Sequence, residues 1–183
     1  MSQGESALLY PGGVREAFKS TKRGEAYQLF WPDGARSSDF ARVAARFNAT
    51  IVPVAAIGAE EGSHMLLDAD DLLALPILGR RLADGARDAP AGRVGERFVA
   101  PLTVPAFPGR YYYMCCRPIP TAGVDAADKA ACAELYGAVR TELEEGIAYL
   151  LAKRREDPHE GFLPRGAVEA WSNWTRQAPT FPT

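Results

Sequence analysis

The residues best placed to do chemistry stand close to the start of the chain, in Pro11-Gly12-Gly13-Val14-Arg15-Glu16. A guanidinium and a carboxylate follow directly on a Gly-Gly corner, where glycine reaches positive φ without steric cost and lets the backbone approach a ligand. The planar fork of Arg15 suits a phosphate or a carboxylate. It would serve equally well as the ion-pair partner of Glu16 or another acidic side chain. Two nucleotide-binding patterns are excluded, because no G-K-[ST] follows and the adjacent Gly12 and Gly13 break G-x-G-x-x-G. A tight corner in a sheet and the turn of a ligand site both remain open.

Other reactive types are sparse. The chain has two histidines, His64 in "EEGSHMLLDADD" and His159 in "DPHEGF". Neither has a serine or cysteine nucleophile at a recognisable spacing, and no G-x-S-x-G elbow is present. Three cysteines and two histidines without paired ligand spacing give no metal motif. Cys115 and Cys116 are adjacent, so in a strand they would face opposite ways and could not bridge each other. That favours a reducing compartment. Glu60 and Glu61 close an apolar run, which is a charged strand end by default and a ligand-facing end in many α/β sheets.

These groups need elements to hold them. Residues 7–10 read as a first strand before the glycine turn, and "YQLFW" as an aromatic cluster closed by Pro32. Phe40, Val43, Ala44 and Phe47 fall at i, i+3, i+4 and i+7, which predicts an amphipathic helix capped by Ser38 or Asp39. "TIVPVAAIG" then predicts a buried strand, parallel to the first as in a βαβ unit. Residues 68–75 and 77–86 read as two short helices split by Pro76. Residues 98–107 read as an irregular apolar crossing, and "RYYYMCCRPI" as a second aromatic strand. The longest helix begins at Asp125 or Asp128. Its stripe is Cys132, Leu135, Tyr136, Val139, Leu143, Ile147, Leu150 and Leu151, and basic residues close it where they complement the helix dipole. Trp171 and Trp174 lie in a tail that packs back or meets a lipid surface.

With 183 residues, 47% hydrophobic and 24% charged, the chain suits one globular domain rather than a disordered segment. A net charge of −2 supplies no basic face for nucleic acid. No run approaches the roughly 18 apolar residues of a spanning helix, and "MSQGES" reads as neither signal nor transit peptide, so any membrane contact is expected to be peripheral.

The order strand, "PGGVREA", "LFWP", "FARVAARF", "ATIVPVAAIGAEE" resembles the C-terminal half of the diacylglycerol and lysophospholipid acyltransferase superfamily. Within it, the order resembles the plant and algal esterase/lipase/thioesterase-like branch, the phytyl ester synthase type. The likeness continues through Arg110-Tyr111-Tyr112-Tyr113, Arg117-Pro118-Ile119 and "RREDPHEGFLPR", and so covers nearly the whole chain. It implies an α/β fold, a mostly parallel sheet flanked by helices, glycerolipid acyltransferase-like but lacking its N-terminal part. Residues 1–156 would be the C-terminal part of the acyltransferase-like domain and 157–183 a tail.

The activity implied is transfer of a fatty acyl group from acyl-CoA or acyl-carrier protein to a neutral lipid hydroxyl, diacylglycerol or phytol, with no cofactor. Pro-Gly-Gly-x-Arg-Glu would stand where the glycerophosphate acyltransferases carry Pro-Glu-Gly-x-Arg. Gly12, Gly13, Arg15 and Glu16 would then shape the acceptor site, Pro53 would fix the adjoining strand, and residues 98–107 would line an acyl channel. The departure is the base. The family uses H-x-x-x-x-D, whereas the fifth residue after His64 is Ala69 and after His159 is Pro164. No catalytic residue is therefore assigned, and the isolated chain is expected to be inactive, marginally stable and open along an apolar sheet edge. The resemblance further implies a missing N-terminal half, a plastid location and contact with a membrane or lipid droplet. A catalytically silent lipid-binding or partner domain remains the other reading.

Overall fold

A computed structural model describes residues 4, 6–13, 16, 24, 26–31, 39–85, 87–88, 97–107 and 109–181. Along the chain run α1 (Asp39–Arg46), β1 (Thr50–Ile51), β2 (Val54–Ile57), a 3-10 turn (Ala59–Gly62), β3 (Ser63–Leu67), α2 (Ala69–Leu73) and α3 (Leu78–Gly85). They are followed by β4 (Arg87–Asp88), β5 (Arg97–Phe98), β6 (Leu102–Pro105), β7 (Tyr112–Cys115), β8 (Ile119–Pro120), α4 (Lys129–Arg154) and α5 (Phe162–Trp171). The fold is mixed α and β, as expected.

The pairing differs from the mostly parallel sheet expected. Among the described residues the strands form four two-stranded pairs, β1–β8, β2–β7, β3–β6 and β4–β5, all antiparallel. Residues 6–10 form no strand, and Leu8, Leu9 and Tyr10 are exposed. The physical reason is competition for partners. Residues 50–57, the expected mate of that first strand, pair instead with β8 and β7, and an apolar run without a partner gains no ladder bonds.

The core lies between the β2–β7 pair and α4. Ala55 and Ile57 alternate inward from β2, Tyr112 from β7 with Cys116 just beyond it, and Ile147 and Leu150 meet them from α4. That helix starts where the Asp128 carboxylate accepts the amides of Ala130 (2.8 Å) and Ala131 (3.2 Å), satisfying two of its free N–H groups. It ends with Lys153 and Arg154 in the last turn, at the negative end of the dipole. The predicted stripe holds, with Cys132, Leu135, Val139, Ile147 and Leu150 all buried. Gly146 completes it. A Cβ there would stand 2.7 Å from Cys116 Sγ and 2.9 Å from Ala55 Cβ, so the glycine sets how closely helix and sheet approach.

Helix α1 turns a different face inward from the one predicted. Ala41 and Ala45 are buried, while Val43 and Phe47 are exposed. The small face allows the end of α1 to lie close to β8, where the buried Thr121 hydroxyl reaches the carbonyls of Ala44 (3.0 Å) and Ala49 (2.8 Å). Phe40 instead packs on Tyr136 of α4, with ring centroids 5.5 Å apart.

The C-terminal residues are fastened to this core by one buried carboxylate. Asp157 accepts the Tyr112 hydroxyl (2.7 Å), Arg110 Nη1 (3.0 Å) and the His159 amide (2.7 Å). Arg110 also donates to the carbonyls of Pro179 (3.0 Å) and Ala178, and Phe181 stacks on Tyr112 at 5.7 Å. Burial would raise the Asp157 carboxyl, but the hydrogen bonds from Tyr112 and His159 and the Arg110 cation together hold it below the usual carboxylate range. Burial and the hydrogen bond to Asp157 push the Tyr112 phenol well above its ordinary value.

Candidate functional site

The glycine turn closes with the Gly13 amide donating to the Tyr10 carbonyl at 3.0 Å, and Gly13 takes a positive φ of 56°. Gly12 is buried. A Cβ at Gly12 would collide with the Glu16 side chain, which folds back over it, and Glu16 Oε1 accepts the Phe30 amide at 3.0 Å. The positive φ of Gly13 suits the turn to glycine, the bare Gly12 leaves room for the Glu16 side chain to fold over it, and the carboxylate of Glu16 staples the turn to the aromatic segment. Val14 and Arg15 lie outside the described residues.

That aromatic segment, residues 26–31, leads from the turn to a cleft of about 350 Å³. Tyr27, Glu60, Glu61, Ser63, His64 and Met65 line it. The local sequence explains why. β2 runs out at Ile57, the chain reverses at Gly58 with φ 104°, and the 3-10 turn presents both glutamates before β3 begins. The Tyr27 amide donates to Glu60 Oε2 at 2.7 Å, and its hydroxyl donates to Glu61 Oε1 at 2.6 Å. From the end of α4, Arg154 Nη1 donates to the Tyr27 oxygen (3.0 Å) and to Glu61 Oε1 (2.7 Å), while its Nε meets Glu160 at 3.0 Å. Burial, then the hydrogen bond to Glu61, pushes the Tyr27 phenol up to about 12, so it remains a protonated donor at neutral pH.

Of the residues singled out from sequence, Gly12, Gly13 and Glu16 come together in one turn, and Glu16 is joined through Phe30 to the segment that carries Tyr27. Pro53 is buried at the opposite end of β2 from Gly58, where its carbonyl accepts the Cys116 amide at 2.8 Å. Four strand residues separate it from the cleft, roughly 13 Å at the usual strand rise. His64 stands exposed at the cleft on β3, opposite Val104 of β6. His159 belongs to the Asp157 clasp, its Nδ1 3.2 Å from the Pro179 carbonyl. Residues 102–105, within the expected acyl-channel segment, form the exposed strand β6.

Two participants were missed from sequence. Tyr27 read only as one aromatic among several, and Arg154 only as a charge suited to a helix end. Asp157 carried a usable signal, because Asp before Pro with its side chain returning to the amide two residues on is a common local turn. Among the described residues no group of three or more His, Cys, Asp or Glu could hold a metal ion, and no helix is long and apolar enough to cross a membrane.

This arrangement can fix a chain reversal beside an acidic, tyrosine-lined cleft, and it supplies shape and charge rather than a nucleophile–base pair. Comparison with known proteins places the same residues in a wider context. The chain is 40% identical over 183 residues to "Phytyl ester synthase 2, chloroplastic" of Arabidopsis thaliana, a match covering 95% of this chain and 25% of that protein. It is 39% identical over 185 residues to "Phytyl ester synthase 1, chloroplastic" of the same plant, covering 95% of this chain and 26% of that protein. The chain thus spans about a quarter of the length of each relative. No protein-family model matches it, and no solved structure does.

Proposed function

We propose that the chain is the acceptor-side portion of an O-acyltransferase of the phytyl ester synthase kind, within the diacylglycerol and lysophospholipid acyltransferase superfamily. The reaction moves a fatty acyl group from acyl-CoA or acyl-carrier protein to the hydroxyl of phytol or diacylglycerol. The alcohol oxygen bonds to the acyl carbon, the carbon–sulfur bond breaks, and the hydroxyl proton passes through a general base to the departing thiolate. That base is contributed from outside these residues, since neither histidine here has the required spacing. Residues 1–156 belong to the acyltransferase domain on this reading, and 157–183 are its tail. The mostly parallel sheet of the parent fold would include strands that this chain does not carry.

Gly12 and Gly13 shape the acceptor turn, Glu16 holds it, Arg15 offers the cation and Pro53 sets the start of β2. A plastid setting follows from the same likeness. The observation that carries the reading is the similarity to phytyl ester synthases along 95% of the chain, at 40% identity.

A chimera tests it. The matching quarter of Arabidopsis phytyl ester synthase 2 is replaced by this chain and supplied with labelled acyl-CoA and phytol. The reading expects phytyl ester from the chimera and none above a heat-killed control from the chain alone. In the chimera Arg15→Lys should lower the rate and Arg15→Ala lower it further, about ten- to a hundredfold for one charge-assisted contact. A folded but inactive chimera, or an Arg15→Ala chimera of full activity, would overturn the assignment.

A further inference from the structure

Residues 26–31 have no regular secondary structure, yet they are clamped at both ends. Tyr27 takes a positive φ of 59°, strained for a residue with a side chain, and such strain persists only where the neighbours over-determine it. Its amide is held by Glu60 and its hydroxyl by Glu61 and Arg154, and the Arg154 guanidinium carbon lies 5.7 Å from its ring centroid. At Trp31 the same device recurs. The indole Nε1 donates to Glu144 Oε1 at 3.1 Å, Arg140 Nε pairs with that oxygen at 2.9 Å, and the Arg140 guanidinium carbon lies 6.0 Å from the indole centroid. Tyr136 meets the indole edge-on at 5.4 Å.

Each clamp joins an arginine, a glutamate and an aromatic ring. Both arginines come from α4, about four turns apart and so on one side of the helix. Partly exposed ion pairs of this kind contribute little to stability, so their effect lies in what they hold in place. Between the clamps Leu29 packs on the core, and the Phe30 amide is bound by Glu16. Glu16 in turn folds over Gly12, and the neighbouring Gly13 amide closes the turn on the Tyr10 carbonyl. An unbroken series of contacts thus runs from α4 through residues 27–31 to the glycine turn.

We propose that Arg154 and Arg140 are positioning residues for the glycine turn, acting through Tyr27 and Trp31 on the segment that Glu16 grips. That the turn serves an acceptor rests on the acyltransferase reading, whereas the coupling rests on these contacts alone.

Amide hydrogen exchange of the purified chain, followed residue by residue by NMR, tests the coupling without turnover. Arg154→Met and Arg140→Met remove the cation and keep an unbranched side chain. Each should speed exchange at the Phe30 and Gly13 amides about tenfold, the factor that one charge-assisted contact supplies, while the Cys116 amide, bonded to the Pro53 carbonyl, keeps its rate. Arg154→Lys should recover part of the protection, since it keeps a charge for Glu61 and loses the planar group over Tyr27. Glu160→Gln, which changes the other acidic partner of Arg154, should exchange like the parent, and acceleration there would place the effect in the tail and overturn the proposal. The proposal also falls if Phe30 and Gly13 keep their rates in both methionine variants, or if Cys116 accelerates equally, since that is loss of the fold. In the phytyl ester synthase 2 chimera, Arg154→Met should lower kcat/KM for phytol about tenfold with the KM for acyl-CoA unchanged. An active chimera that keeps its full kcat/KM in this variant would contradict the proposal. A parent chimera inactive on phytol, alongside coupled exchange in the chain, would sink the enzymatic reading and leave the positioning of the turn standing.

Discussion

The two faces of the β2–β7 pair are made by alternate residues of the same strands, yet they meet opposite surroundings. Ala55, Ile57 and Tyr112 point at α4 and are buried, with Met114 half-buried beside them. Val54, Ala56, Tyr113 and Cys115 point away and are exposed, Tyr113 by 68%. Val52 and Tyr111 extend the exposed apolar face at either end. Composition does not distinguish the two faces. What does is a partner, the helix whose Gly146 lets it come close. Among the described residues one apolar face of this sheet is covered by a helix and the other is left exposed.

The contrast orders the expected effects of substitution. Asp157→Ala should cost the most, because it removes the buried partner of Arg110 and Tyr112 beneath the covered face. A loss of about 3–5 kcal/mol is expected, a fall in melting temperature on the order of 10 °C. The pH dependence has a defined sign. Asp157 titrates below the normal carboxylate value in the folded chain, so its contribution is complete above about pH 4 and disappears as pH falls through the depressed value. Melting followed from neutral to acid pH should show that limb, flattened in Asp157→Asn.

Gly146→Val comes next. It drives two methyls into Cys116 and Ala55, and overpacking of this kind costs about 1–3 kcal/mol in a denaturant melt. An unchanged midpoint would mean that helix and sheet are less closely packed than 2.7–2.9 Å implies.

Tyr27→Phe removes two hydrogen bonds at the cleft, the one its hydroxyl donates to Glu61 and the one it accepts from Arg154, on a half-buried residue whose partners keep their own ion pair, and about 1–2 kcal/mol is expected. Its phenol is raised to about 12, so the stability it adds is present below pH about 10 and is lost between about 10 and 12. Spectrophotometric titration of tyrosine should show one late component that the variant lacks.

On the open face Val54→Thr and Tyr113→Ser should change the stability of the isolated chain by no more than about 0.5 kcal/mol. A loss of several kcal/mol from either would show that this face is packed after all.

Much of this was legible in the sequence, unevenly. The long helix and its buried stripe follow from a 3.6-residue period sustained over seven turns, and of the two starts the sequence offered, Asp125 and Asp128, the structure selects Asp128 as the cap. The split at Pro76 is equally local, whereas the capping box at Asp68 and Asp71 that opens α2 went unread from sequence. Partner choice is not local. "TIVPVAAI" reads as a strand buried on both faces, but whether it pairs with residues 7–10 or with β7 depends on what the rest of the chain offers. The α1 face was misread for a related reason, since Phe40, Val43 and Phe47 outweigh two alanines on any hydropathy count, yet close approach to β8 selects the alanines. In the site the Gly-Gly turn was readable, and the role of Glu16 as its staple was not, because Phe30 is fourteen residues away.

The adjacent cysteines offer the most direct measurement. Cys115 lies on the open face and is exposed, while Cys116 faces α4, is buried, and has its thiol pushed up by burial. Cys132 is buried inside α4. Thiol titration of the native chain, with peptide mapping of the modified site, should find one fast-reacting cysteine, Cys115, and all three only after denaturation. Fast labelling of both Cys115 and Cys116, or of neither, would contradict a sheet covered on one face and open on the other.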